Sequence, residues 1–186
     1  MNTVKSTMYI IAGPNGSGKT TLARELITDE NIIFLNADEI AVAINDKIGI
    51  QSGKIILNQL NDILKSGQSF VLESTISGRH HLQAIRQAQQ NGYNIILIYV
   101  FLESVEQNLA RIKMRTQLGG HNVPKTDVVR RYKRSLKNFW DLTHIITNWK
   151  LYYNGGTRFQ LVARHDSKDL EIIDLGLYNK MCKVTK

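Results

Sequence analysis

The sequence predicts an α/β fold of three layers, with helices covering both faces of a mainly parallel sheet. Three observations predict it. Short apolar runs of strand length alternate with segments whose apolar residues recur at helical spacing. A glycine-rich loop separates the first apolar run from the first helix. An Asn-Gly pair at Asn154-Gly155 adds one late antiparallel hairpin. With 186 residues, 42% hydrophobic and 22% charged, the chain is expected to fold as a single domain spanning 1–186.

The elements follow in order. Residues 8–12 form a buried strand, and 19–27 a helix after the glycine loop. Residues 32–35 form a second buried strand, followed by a helix that begins near Asp38. Another helix spans about 54–64, where Ile56, Leu60, Ile63 and Leu64 share a face. Residues 70–72 are a third strand. Leu82, Ile85 and Ala88 mark the buried face of the next helix, which Asn91-Gly92 stops. Residues 94–101 form the longest strand. Val105, Leu109 and Ile112 mark a helix after it, and Gly119-Gly120 breaks the chain. A long helix then starts near Lys125, with Val129, Tyr132 and Leu136 inward. Residues 149–153 and 158–163 are late strands joined at Asn154-Gly155-Gly156.

The glycine loop reads Gly13-Pro14-Asn15-Gly16-Ser17-Gly18-Lys19-Thr20, the spacing of a phosphate-binding P-loop (Walker A). Its glycines let successive N–H groups turn toward phosphate oxygens. Lys19 reaches the outer phosphates, the Thr20 hydroxyl suits Mg2+, and the following helix points its positive end at the same anion. An apolar strand before the loop and a helix after it give the context the motif requires. ATP with Mg2+ is therefore the expected ligand.

Several classes of nucleotide-binding protein are disfavoured. A guanine switch protein needs an Asn-Lys-x-Asp base reader, and Asn148-Trp149-Lys150-Leu151 is not one. A transporter-type ATPase needs a Leu-Ser-Gly-Gly-Gln signature, and Ser77-Gly78-Arg79 is not that either. A kinase for a small acceptor needs a base, magnesium support and arginines. Asp38 follows the second strand and is the candidate base, or else caps a helix. Glu73 ends the third strand, and could hold the acceptor or the magnesium shell, or lie at the surface. Parallel strands bring both to the edge that carries the phosphate loop.

Arg111 and Arg115 share one helix face, and Arg130 and Arg134 share another beside Arg131. With Gly119-Gly120 between the helices, the region of about 103–140 reads as an arginine-bearing lid, or as a solvated basic face. His121 sits at its tip. The net charge of +8 is concentrated between Arg111 and Lys137, where Asp127 is the single acid. That stretch suits phosphate, with nucleic acid as the less favoured partner. One cysteine, Cys182, allows no internal disulfide. No histidine spacing suggests zinc. The longest apolar run is too short to span a bilayer, and Met1 to Thr7 has no leader-like stretch. A cytoplasmic location is expected.

Taken together, Gly13 to Thr20 with Thr21, then Asn36-Ala37-Asp38-Glu39, then Glu73-Ser74-Thr75-Ile76-Ser77-Gly78, resemble the zeta-toxin family of P-loop kinases. Gly119-Gly120-His121-Asn122-Val123-Pro124 and Arg130-Arg131-Tyr132-Lys133-Arg134-Ser135 resemble its short bacterial branch. The resemblance implies transfer of the ATP γ-phosphate to a hydroxyl of a UDP-amino sugar such as UDP-N-acetylglucosamine. It implies Asp38 as base, Lys19 and Thr20 at the phosphates and magnesium, and Asn154 beside adenine. Arg115, with Arg111 as its alternative, and Arg131 and Arg134 would complete the catalytic set. Asp38, Glu73, Thr75, Arg79 and His121 would face the acceptor. A cognate antitoxin is an implied partner. The chain is shorter than the larger toxins, and its lid sequence differs from theirs.

Overall fold

The structure is a computed structural model, and it describes residues 5–29, 31–36, 40, 50–120 and 122–184. Its elements in chain order are β1 (Thr7–Ala12), α1 (Lys19–Leu26), β2 (Ile33–Asn36), α2 (Ile50–Ser66), β3 (Phe70–Ser74), α3 (His80–Gln90), β4 (Asn94–Phe101), α4 (Val105–Gln117), α5 (Lys125–Thr143), β5 (Trp149–Tyr153), β6 (Gln160–Asp166), β7 (Asp169–Ile172) and α6 (Leu175–Val184). The strands form one sheet in the order β2-β3-β1-β4-β5-β6-β7. The first five are parallel, and β6 and β7 are antiparallel additions. This is the predicted P-loop kinase-like α/β architecture with its late hairpin.

Strand alternation sorts the core into two faces. Met8, Ile10 and Ala12 of β1 join the larger cluster, which holds Leu60 of α2, Ala84 of α3, Phe139 of α5 and Met181 of α6. Ile11 faces the other way, onto Leu22 and Ala23 of α1. The side-chain period of two in a strand makes that division automatic. Burying both faces explains why β1 and β4 read as continuous apolar runs. Between α2, α3, α5 and α6 on one side and α1 on the other, the sheet is the middle of three layers. Among the described residues, no helix is long and apolar enough to cross a membrane.

Helix α5 is fixed along its length. Val128, Tyr132, Ser135, Phe139 and Leu142 are all buried at helical spacing. Tyr99 stacks on Phe139 with ring centroids 4.5 Å apart, and its hydroxyl is 2.9 Å from Ser135 Oγ. The inward valine is Val128, not Val129 as expected, because Val128 lies four residues before Tyr132 on that stripe. Likewise the buried residue of α4 beside Ile112 is Asn108, while the expected Leu109 is half-buried.

Other boundaries moved. The predicted helix at 54–64 begins at Ile50 and ends at Ser66. β3 continues past Leu72 to Ser74, which puts Glu73 inside the strand. β6 starts at Gln160 rather than 158. The sequence reading did not anticipate β7 or α6. The helix expected near Asp38 lies outside the described residues.

Candidate active site

The phosphate loop leaves the carboxyl end of β1, the middle strand of the five parallel ones. Neighbouring carboxyl ends therefore surround it on both sides. Gly18 precedes α1 with φ +96°, and a Cβ there would lie 2.3 Å from Asn154 Nδ2. A Cβ on Gly16, φ +79°, would lie 2.8 Å from the Asn108 carbonyl oxygen. Only glycine allows these approaches at these angles. Lys19 is buried, and its Nζ donates to Pro14 O at 3.3 Å, so the side chain arches over the loop.

Two distant asparagines hold the loop. Asn108 of α4, fully buried, donates from Nδ2 to Asn15 O at 2.7 Å. Asn154, just past β5, donates from Nδ2 to Ser17 O at 2.8 Å. Asn154 is itself fixed: its N–H donates to Phe101 O at 3.0 Å, and its carbonyl accepts from Arg111 Nη2 at 2.5 Å. Phe159 lies beside them, 3.4 Å from where a Gly18 Cβ would be. Arg111, Asn154 and Phe159 thus gather on the α1 side of the loop. The base of the predicted lid, α4, is anchored directly to the phosphate loop.

On the opposite side, β3 brings Glu73 to the loop. Glu73 is buried, pairs in register with Ile11 and Asn36, and its Oε1 and Oε2 accept from Thr20 Oγ1 at 3.1 and 2.9 Å. Its burial rules out the surface-carboxylate alternative. A hydroxyl and a carboxylate so placed are hard oxygen donors, the kind Mg2+ takes together with phosphate oxygens and water. Thr20 and Glu73 therefore fit the metal that the motif implies.

Beyond Glu73 the chain forms a tight loop. Thr75 Oγ1 lies 2.9 Å from Ser77 Oγ, and Ile76 N–H donates to Ser74 Oγ at 3.0 Å. Asn138 Nδ2 of α5 donates to Ile76 O at 2.5 Å. Helical rise puts Arg134 about 6 Å and Arg131 about 10 Å from Asn138 along the axis. Both arginines thus belong to the helix that touches this loop, Arg131 half-buried and Arg134 exposed.

The other expected residues divide. Thr21 and Arg79 are exposed. Arg115, exposed, is in the last turn of α4, where its carbonyl accepts from Gly120 N–H at 2.9 Å. Arg130 pairs with Asp127 at 2.7 Å on the surface. Asp38 and His121 lie outside the described residues. β2 ends at Asn36, two positions before Asp38. Sequence reasoning missed Asn108, Phe159 and Asn138. An asparagine at an inward helix position was the available signal for Asn108.

Known proteins resemble this chain at three levels. A protein of Haemophilus influenzae (strain ATCC 51907 / DSM 11121 / KW20 / Rd) described as uncharacterized is 37% identical over 124 residues, covering 64% of this chain and 88% of its own. The AvrRxo1-ORF1:-ORF2 crystal structure with ATP matches at TM-score 0.77 and 16% identity over 98% of this chain, which spans 64% of that chain's length. The PezAT chromosomal toxin-antitoxin system of Streptococcus pneumoniae matches at TM-score 0.65 and 13% identity, over 100% of this chain and 86% of that one. The Pnkp1/Rnl/Hen1 RNA repair complex matches at TM-score 0.62 and 20% identity, over 75% and 47%. At these identities the structures share the fold. The AAA domain model AAA_33 matches residues 8–139, the stretch that carries the phosphate loop, Glu73 and both arginine helices, and the chain belongs to that family.

Proposed function

We propose that the protein is an ATP-dependent small-molecule kinase of zeta-toxin type, with a UDP-amino sugar as acceptor. The observation that carries the reading is the buried Glu73 carboxylate on the Thr20 hydroxyl, beside a loop that offers paired hydroxyls. The Thr75 and Ser77 hydroxyls supply polar groups beyond the pair that would hold Mg2+.

In this reading the acceptor hydroxyl oxygen bonds to the γ-phosphorus as the bond to the β–γ bridging oxygen breaks. Asp38 takes the hydroxyl proton, and ADP leaves. Lys19 and the loop N–H groups hold the phosphates, and Arg131 and Arg134, with Arg111 or Arg115, offset the charge on the transferred group. Mg2+, held by Thr20 with Glu73 supporting its shell, would supply charge neutralisation at the phosphates. Arg111, Asn154 and Phe159 form the side on which a base would stack. Asp38, Glu73, Thr75, Arg79 and His121 would bind the sugar nucleotide. The complexes AvrRxo1-ORF1:-ORF2 and PezAT support a protein partner, an antitoxin that would cover this opening.

The test is ATP consumption by purified protein. Consumption should rise with UDP-N-acetylglucosamine, and Asp38→Ala should abolish the rise. Indifference to every sugar nucleotide in a broad panel would sink the acceptor assignment.

A second reading, a polynucleotide kinase, has its own observation. Lys113, Arg115, Lys133 and Arg134 are exposed on two adjacent helices, and the RNA repair complex shares the fold. That reading requires RNA or DNA binding that weakens steeply with salt. Absence of binding at low salt removes it.

A further inference from the structure

Ile76 is the one non-glycine among the described residues with a positive φ, at +47°. A β-branched residue adopts that left-handed setting only where its surroundings impose it, and such strain gathers at functional loops. Its side chain is fully buried, so packing fixes one half of the residue. Hydrogen bonds fix the other half. The Ser74 Oγ contact is local to the loop, but the Asn138 contact arrives from α5, across 62 residues of sequence.

Asn138 stands among fully buried neighbours on that helix. Ser135, Phe139 and Leu142 around it are 0–1% exposed. The same rod carries Arg134 and Arg131, one and two turns toward its N-terminus. One amide therefore ties the loop beside Glu73 to the helix of the two arginines. The strained setting also brings Thr75 Oγ1 and Ser77 Oγ within 2.9 Å of each other.

We infer that Asn138 is a positioning residue for the acceptor. By holding Ile76 in its left-handed conformation, it fixes the Thr75 and Ser77 hydroxyls beside Glu73 and sets their distance from the arginines of α5. This rests on the kinase reading above and deepens it by naming what organises the acceptor side. The hydrogen bonds of this loop run within it and to Asn138, so in this reading Asn138 governs acceptor use more than nucleotide binding.

The full-length protein and its Asn138→Ala and Asn138→Asp variants test this. Aspartate keeps the shape of the side chain but replaces the donor with an acceptor, which covers the case in which alanine fails to fold. Three readouts are needed: affinity for a fluorescent ATP analogue with Mg2+, hydrogen exchange of the segment 74–78, and steady-state phosphorylation of UDP-N-acetylglucosamine and of a 5′-hydroxyl oligonucleotide. Both variants should bind the ATP analogue within about twofold of wild type. They should exchange at 74–78 about tenfold faster, and raise KM for the acceptor about tenfold with a smaller change in kcat. Unchanged exchange at 74–78, an unchanged acceptor KM, or an equal loss of ATP affinity overturns the inference. A wild-type protein inert toward both acceptors sinks both acceptor assignments, and the acceptor role of Asn138 with them. A working wild type matched by its variants sinks the role of Asn138 alone.

Discussion

The two walls of the site are built on different plans. The donor wall is fixed redundantly: Asn108 holds Asn15, Asn154 holds Ser17, Arg111 holds Asn154, and two glycines admit these contacts at van der Waals range. Among the described residues, the wall proposed for the acceptor hangs from fewer points. Its loop is held from outside by Asn138, its backbone is strained at Ile76, and Arg134 is exposed. Every ATP-dependent enzyme meets the same triphosphate, so one rigid cradle serves. Acceptors differ, and a wall with few anchors can be re-aimed without disturbing the cradle.

The largest expected effect would break the donor wall. Gly18→Val puts a branched Cβ into Asn154 Nδ2 at a backbone angle that valine resists. ATP affinity should fall at least about a hundredfold, about 3 kcal/mol, measured by calorimetric titration. Retained affinity would show that Asn154 is free to move and that the cradle is not fixed. Glu73→Gln probes where the walls meet. It preserves an acceptor for Thr20 but removes the charge, so the Mg2+ concentration for half-maximal turnover should rise about tenfold or more.

Asn108→Ala tests the redundancy itself. Losing its bond to Asn15 O should cost about 1–3 kcal/mol, and lower the melting temperature by about 2–4 °C for each. ATP affinity should fall less than about tenfold, because Asn154 remains. A loss as large as that of Gly18→Val would mean that the anchors act as one.

The smallest effect on the site itself is expected from the first turn of α3, which acts on acid stability instead. His81 of α3 is buried, and burial, aided by neighbouring His80, lowers its pKa to about 4 from 6.5. The unfolded chain then binds the proton more readily than the folded one. Stability from this group is complete above pH 6.5 and declines as pH falls toward 4, by at most about 3 kcal/mol. Urea unfolding midpoints across that window should slope in wild type and flatten in His81→Asn. A slope unchanged by the substitution would assign the acid sensitivity elsewhere.

What the sequence disclosed follows the range of each interaction. The phosphate loop is contiguous, and β4 is a continuous apolar run, so both were readable at their true positions. Glu73 was found because parallel topology predicts where strand ends meet. Asn108, Asn138 and Asn154 make their contacts across 93, 62 and 137 residues. No local pattern marks an asparagine as one that will reach a carbonyl so far away. Family resemblance singled out Asn154, but as a residue beside adenine and not as a brace on Ser17. β7 was missed because all of its residues are exposed at the sheet edge, where no apolar alternation is needed. Val128 was misassigned to Val129 because adjacent valines blur the phase of a helix.

The bond from Asn154 to Ser17 has a consequence for how the protein comes into being. The motif from Gly13 to Thr20 leaves the ribosome before Asn154, the residue that braces Ser17 and lies 137 positions after it. At a synthesis rate of about 5–20 residues per second, the nascent chain lacks this brace for about 7–27 seconds. The Asn154 brace therefore exists only after residue 154 has been made, so the order of translation sets when this contact can fix the loop.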